Sequence, residues 1–219
     1  MAHSQDGSRV AIGAYANDGI GNNSGHVRVY SDLVAVAQKS IGGSVFSLAG
    51  SGLVLQNNFS DDLAILGNGA FAFPQLIDSG LGYSVTVSEQ PVNPTQECLV
   101  SNGSGTVADI DINTVQVNCT TLKYSIGGTL TGLQQPGLVL QNNGTDNLAL
   151  SSDSDFTFSI KLDDTSSYNV TVLKNSDENL QRCSVINGTG TLAGEDISNI
   201  EVHCELLTPE LFENGFESD

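Results

Sequence analysis

GLVLQNN runs from Gly52 to Asn58, and the same seven letters run again from Gly137 to Asn143, 85 positions later. Within each stretch the apolar residues alternate. Leu53 and Leu55, or Leu138 and Leu140, fall on one face of an extended strand. The closing Asn-Asn pair suits a tight turn, because Asn tolerates left-handed backbone. A strand and its turn have therefore been written twice. Working outward, a shift of 85 aligns residues 40–119 with 125–204 without a gap, and 34 of the 80 positions are identical. SIGG recurs at Ser40 and Ser125, Phe-x-Phe at Phe71 and Phe156, Tyr-x-Val-Thr-Val at Tyr83 and Tyr168, and Asn-Gly-x-Gly-Thr at Asn102 and Asn187.

Other segments alternate with the same period of two: Leu63-x-Ile65, Phe71-x-Phe73, Tyr83-x-Val85-x-Val87, Ile110-x-Ile112 and Val115-x-Val117. In the second copy Leu148-x-Leu150, Phe156-x-Phe158-x-Ile160 and Tyr168-x-Val170-x-Val172 do the same. Gly- and Asn-rich turns separate them. The pattern predicts about seven or eight short strands per copy and no helix. A unit of this size is large for a solenoid repeat and suits a small sandwich. The expected fold is all-β. Two tandem immunoglobulin-like β-sandwiches occupy residues 39–121 and 122–206. A short N-terminal β-hairpin-like fragment spans 1–38, and an acidic tail spans 207–219.

Hydrophobic residues make up 39% of the 219, enough for packed cores, yet no apolar run approaches the length of a membrane-spanning helix. The net charge of −18, from 25 acidic and 7 basic residues, repels phosphate backbones and argues against a nucleic-acid partner. Residues 40–122 contain no Lys, Arg or His, so neither a Ser–His–Asp triad nor a Lys–Asn isopeptide bond can form within the first repeat. His3, His26 and His203 are scattered, and His203, next to Cys204, should point away from the cysteine's face. Paired acids occur at Asp61/Asp62, Asp109/Asp111, Asp153/Asp155 and Asp163/Asp164. Across a cleft such pairs hydrolyse glycosides, but here they sit in or beside turns and are expected to be solvated. No catalytic residue, metal site or cofactor is expected.

Each copy holds two cysteines 21 residues apart, Cys98 with Cys119 and Cys183 with Cys204. Pairing within each repeat is the simplest of the three connectivities open to four cysteines. A buried thiol pair is the alternative, and zinc lacks its usual ligand spacing here. Disulfides would place the protein in an oxidising compartment. Residues 1–7 carry neither the basic start nor the apolar stretch of a signal peptide, so export implies a leader upstream.

Taken together, I-G-G-x-V, G-L-V-L-Q-N-N, F-x-F, Y-x-V-T-V and the two cysteines resemble the tandem Ig-like repeats of bacterial secreted and cell-surface proteins. The front half of each copy resembles prealbumin-like or CnaB-like sandwiches. "DGSRVAIGA" and "NDGIGNNSGHVRVY", within residues 6–30, resemble part of an integrin-alpha-type FG-GAP repeat, a propeller-blade unit. Family blades can bind Ca²⁺, but Asp18 with Asn17, Asn22 and Asn23 offers one carboxylate, and a turn is the better reading. The ending Phe212-Glu-Asn-Gly-Phe-Glu217 resembles short C-terminal endings of exported proteobacterial proteins. These resemblances imply a non-enzymatic spacer or stalk, extracellular or at the cell surface, in the C-terminal part of a longer propeller-containing chain. The competing expectation is a Ca²⁺-dependent or glycan-binding adhesion module whose partner is a surface protein or glycan.

Overall fold

The computed structural model describes residues 2–3, 9–14, 26–31, 36–176 and 181–207. Every regular element among them is a strand. Near the N-terminus β1 (Ala2–His3), β2 (Arg9–Ala14) and β3 (His26–Ser31) form an antiparallel sheet in that order.

The first repeat begins with β4 (Gln38–Lys39), β5 (Ile41–Phe46), β6 (Leu53–Asn57), β7 (Asp61–Ile65) and β8 (Gly69–Ala72). It continues through β9 (Ile77–Asp78), β10 (Gly82–Glu89), β11 (Gln96–Ser101), β12 (Ser104–Thr106) and β13 (Ile112–Thr121). The second repeat has the same ten strands. They are β14 (Lys123–Tyr124), β15 (Ile126–Thr131), β16 (Leu138–Asn142), β17 (Asp146–Leu150), β18 (Ser154–Thr157), β19 (Leu162–Asp163), β20 (Ser167–Lys174), β21 (Gln181–Ile186), β22 (Thr189–Thr191) and β23 (Ile197–Leu206). Each begins and ends 85 residues after its counterpart. Ten strands per repeat exceed the seven or eight that periodicity predicts. The additions are β4, β9 and β12, which at two or three residues are too short to carry a period.

Each repeat folds as two four-stranded sheets and one two-stranded pair, β4–β9 in the first and β14–β19 in the second. In the first the four-stranded sheets are β12-β10-β6-β7 and β11-β13-β5-β8; in the second, β22-β20-β16-β17 and β21-β23-β15-β18. The core of the first repeat lies between its sheets, with Leu53, Leu55 and Val85 from one and Ile41, Val45, Val117 and Cys98 from the other. The second repeat has its own cluster, built from Leu138, Leu140, Val170, Ile126, Leu130 and Val202.

The repeated letters now have structural reasons. Leu53, Leu55, Leu138 and Leu140 are all 0% exposed. Asn57 and Asn142 are buried with them, and their Oδ1 atoms accept the N–H groups of Ser84 at 3.2 Å and Asn169 at 3.1 Å. Asn58 and Asn143 turn the chain at φ 48° and 49°, and their Nδ2 groups donate to the carbonyls of Gly82 and Ser167. SIGG has a different cause. The first long strand of each repeat lies parallel to its last, β5 on β13 and β15 on β23, with a bulge in the ladder. A Cβ on Gly43 would lie 1.8 Å from the Val115 carbonyl oxygen, and one on Gly128 would lie 1.8 Å from that of Ile200. Only glycine permits that approach.

The alternation misleads in two places. Ile110 lies in the loop before β13 and is 70% exposed, and Ile160 lies beyond the end of β18 and is half exposed. Both continue an apolar pattern past the end of the ladder that would have buried them.

Candidate functional site

Cys98 stands directly opposite Cys119 in the antiparallel β11–β13 ladder, and Cys183 opposite Cys204 in β21–β23. Both pairs are disulfide-bonded, with Cα atoms 3.9 and 4.0 Å apart. The Cys98 N–H and C=O are both taken by the Gln90 side chain, at 2.8 and 3.2 Å. The pair is thus of the close, non-hydrogen-bonded type, which brings side chains nearest. In the second repeat Asn175 Oδ1 accepts the Cys183 N–H at 2.9 Å. Such bonds are typical of extracellular proteins, and among the described residues no helix is long and apolar enough to cross a membrane.

The acids expected in solvated turns are in part buried acceptors. Asp61 is buried and accepts the Gln75 N–H at 3.3 Å; its counterpart Asp146 is buried and takes the Ile160 N–H at 2.9 Å and the Ser159 hydroxyl at 3.0 Å. Asp153 accepts the N–H groups of Gly132 and Leu133. Asp111 and Asp196 hold the N–H groups of Ser40 and Ser125, where SIGG begins. The Ser40 N–H holds the Asp111 carboxyl below the usual carboxylate value, outweighing desolvation, with smaller help from the Ser40 hydroxyl and Lys39. Asp163 is salt-bridged to Lys123 at 2.7 Å on the surface. Backbone amides that a turn leaves without a ladder partner need an acceptor, and these carboxylates supply it.

One acid joins the repeats. Asp164 follows β19 and is 4% exposed. Its Oδ2 accepts the N–H of Thr95, in the first repeat, at 2.6 Å, and its Oδ1 accepts the N–H of Gly194 at 2.8 Å. The Leu122 N–H donates to the Thr95 carbonyl at 3.0 Å, and the Asp164 N–H donates to the Leu122 carbonyl at 2.8 Å. Thr95, Leu122 and Asp164 thus form a closed ring of three hydrogen bonds across the linker. Burial works to raise the Asp164 pKa. The N–H groups of Thr95 and Gly194, with the Thr95 hydroxyl and the Thr165 N–H, outweigh it and hold the carboxyl below its ordinary value of 3.8.

The first repeat keeps half of this arrangement. Ser79 stands where Asp164 does, and its N–H donates to the Ala37 carbonyl at 2.9 Å, as Asp164 does to Leu122. Asp109 stands where Gly194 does, and the Ser79 hydroxyl donates to Asp109 Oδ1 at 2.8 Å. The carboxylate has changed sides. Gly194, at φ +83°, brings its N–H to Asp164 and passes Thr95 Oγ1 at the distance a Cβ would occupy in contact.

Sequence reasoning singled out the four cysteines and His203 by position. His203 is exposed on β23, turned away from the core that holds Cys204, with Nδ1 2.7 Å from the Thr131 hydroxyl. It named Asp164 only as one of a pair of turn acids expected to be solvated, and the structure buries it. The signal was the exchange of Ser79 and Asp109 for Asp164 and Gly194 between aligned copies. Among the described residues no group of three or more His, Cys, Asp and Glu converges as a metal site. The loop with Asp18 and the ending from Pro209 lie outside the described residues. The recesses are shallow. One of about 690 Å³ lies against β20 and β21, lined by Asn169, Thr171, Asn187 and Thr189 among others, and none of its lining residues titrates. One of about 390 Å³ is lined by Asp155 and Asp196 and by no His, Lys or Arg. Compared with known protein families and with curated proteins, the chain matches none.

Proposed function

We propose that this chain is a non-enzymatic spacer of a bacterial secreted or cell-surface protein. It presents two immunoglobulin-like sandwiches in a fixed mutual orientation, behind a propeller-like N-terminal part. The joint at Asp164 carries the reading. A buried carboxylate that bonds backbone of both repeats resists bending in a way that a bare linker does not. The disulfide in each repeat supports service outside the cytoplasm, where a core from some 80 residues needs a staple. The acids support it too, because Asp61, Asp111, Asp146, Asp153, Asp164 and Asp196 are spent on backbone amides rather than aimed together at a substrate or ion.

Small-angle X-ray scattering on the whole chain tests the reading. The expected result is one elongated particle whose maximum dimension does not change with Ca²⁺. Compaction of the repeats against each other, or a particle that changes shape on adding Ca²⁺, would overturn it in favour of an adhesion module.

A further inference from the structure

We propose that the edge of β8 in the first repeat pairs with the same edge of a second copy of this chain, antiparallel, so that two sheets join across a two-fold axis. β8 is the last strand in the order β11-β13-β5-β8, and among the described residues no strand pairs with its outer side. Its register sets Gly42 against Ala72 and Gly43 against Phe71, and the Phe73 N–H donates to the Ile41 carbonyl at 2.8 Å. Ladder bonds in an antiparallel pair fall on alternate residues, so Phe71 and Phe73 turn their backbone groups toward β5. Ala70 and Ala72 turn theirs outward, and both residues are exposed. Such an edge is a template for another strand.

The second repeat guards the same edge. Ala70 and Ala72 have Asp155 and Thr157 as counterparts, and Leu66 on the adjoining turn, 99% exposed, has Ser151. Residues 63–77 carry no charged side chain, whereas 148–162 carry Asp153, Asp155 and Lys161. Charge on an edge strand is one way to keep it single, and the first repeat lacks it. Phe156 is buried, but Phe71 at the matching place is only partly so. A recess of about 370 Å³ between β7 and β8, lined by Leu63, Ile65 and Phe71 among others, leaves room beside that ring.

Self-complementarity selects a second copy as the occupant. A chain with a net charge of −18 repels itself, and a neutral stretch lets two copies approach without that penalty. The nearest acids along the chain, Asp61 and Asp62, lie at the end of β7 away from the turn, held by the Gln75 N–H and the Gln56 side chain. With the two-fold axis at Phe71, Ala70 of one copy stands opposite Ala72 of the other. Each such pair exchanges both N–H···O=C bonds, using the backbone groups that point outward. Phe71 stands opposite itself as a close, non-hydrogen-bonded pair, and each ring covers the part of the other that its own repeat leaves open. An isologous pairing of this kind closes at two chains. The contact is small, so the dimer is weak and depends on concentration. The inference does not rest on the spacer reading, since a loose joint at Asp164 would leave it intact.

Sedimentation equilibrium and amide exchange on the whole chain, at concentrations up to about 1 mM, test it. The expected result is a monomer–dimer equilibrium. As the dimer fills, the Ala70 and Ala72 amides should exchange about tenfold more slowly, while those of Asp155 and Thr157 do not change. Ala70→Asp, which installs the second repeat's residue at an exposed site, should weaken the dimer by about tenfold or more and remove the protection. A chain that stays monomeric throughout would overturn the proposal and leave the edge to a strand of another protein. A dimer that forms without protecting Ala70 and Ala72, or that survives Ala70→Asp unchanged, would overturn it as well, because the contact would then lie elsewhere.

Discussion

The two repeats share ten strands, one disulfide register and the GLVLQNN strand, yet they part company at the end where the chain comes in. In the second repeat that end is closed by Asp164, which bonds the first repeat; in the first it carries Ser79 in that place, bonded to Asp109 of the same repeat. The difference teaches where each repeat's sequence was free to change. Positions between the sheets answer to packing inside one repeat, so both copies keep them. At the end, Asp164 of the second repeat answers to Thr95 of the first, and the first repeat has Ser79 and Asp109 at the matching places.

The largest expected effect is one the repeats should share. Gly43→Ala and Gly128→Ala each push a Cβ into a backbone carbonyl of the parallel neighbour, at 1.8 Å in both. Each should destabilise its own repeat by roughly 3–5 kcal/mol, and calorimetry should show the loss in one repeat at a time. A tolerated alanine at either site would break the equivalence. Next comes the staple. Replacing Cys98 and Cys119 together by Ser, or Cys183 and Cys204, opens a loop closed over 21 residues. That should cost about 3 kcal/mol in either repeat, read from denaturant midpoints. Asn57→Ala and Asn142→Ala follow, each removing a buried side chain and leaving the amide N–H of Ser84 or Asn169 without its acceptor. About 1–3 kcal/mol apiece is expected, again equal in the two repeats.

The strands were legible because burial between two sheets imposes a period of two, and because duplication let each strand be read twice. Cys98 and Cys119 were legible as a pair for the same reason. Ile110 was not, since periodicity does not say where a ladder ends. The buried roles of Asp61, Asp146 and Asp164 were hidden for another reason. A carboxylate is solvated or buried according to which amides surround it, and for Asp164 the decisive amide, that of Thr95, lies 69 residues away in sequence. Turn composition carries no record of such a partner.

The smallest effect separates the repeats by charge. Asp164 has its pKa lowered by folding, so its contribution is complete above the unfolded carboxylate value. It fades as pH falls from about 4 through the lower folded value. The joint should therefore loosen in acid below about pH 4. Asp164→Asn, which keeps the shape but not the charge, should already be loosened at neutral pH and show much less acid dependence. Chemical-shift changes at Thr95 and Gly194 read this directly. An unchanged acid response in the variant would assign it to other acids, Asp111 among them.

Whether Asp164 locks the two repeats together is best decided by pulsed electron–electron resonance, with one spin label on an exposed site of each repeat at neutral pH. The native chain should give a single narrow distance distribution, and Asp164→Ala a broad one with each repeat still folded. A broad distribution in the native chain, or no broadening on removing the carboxylate, would contradict a fixed joint.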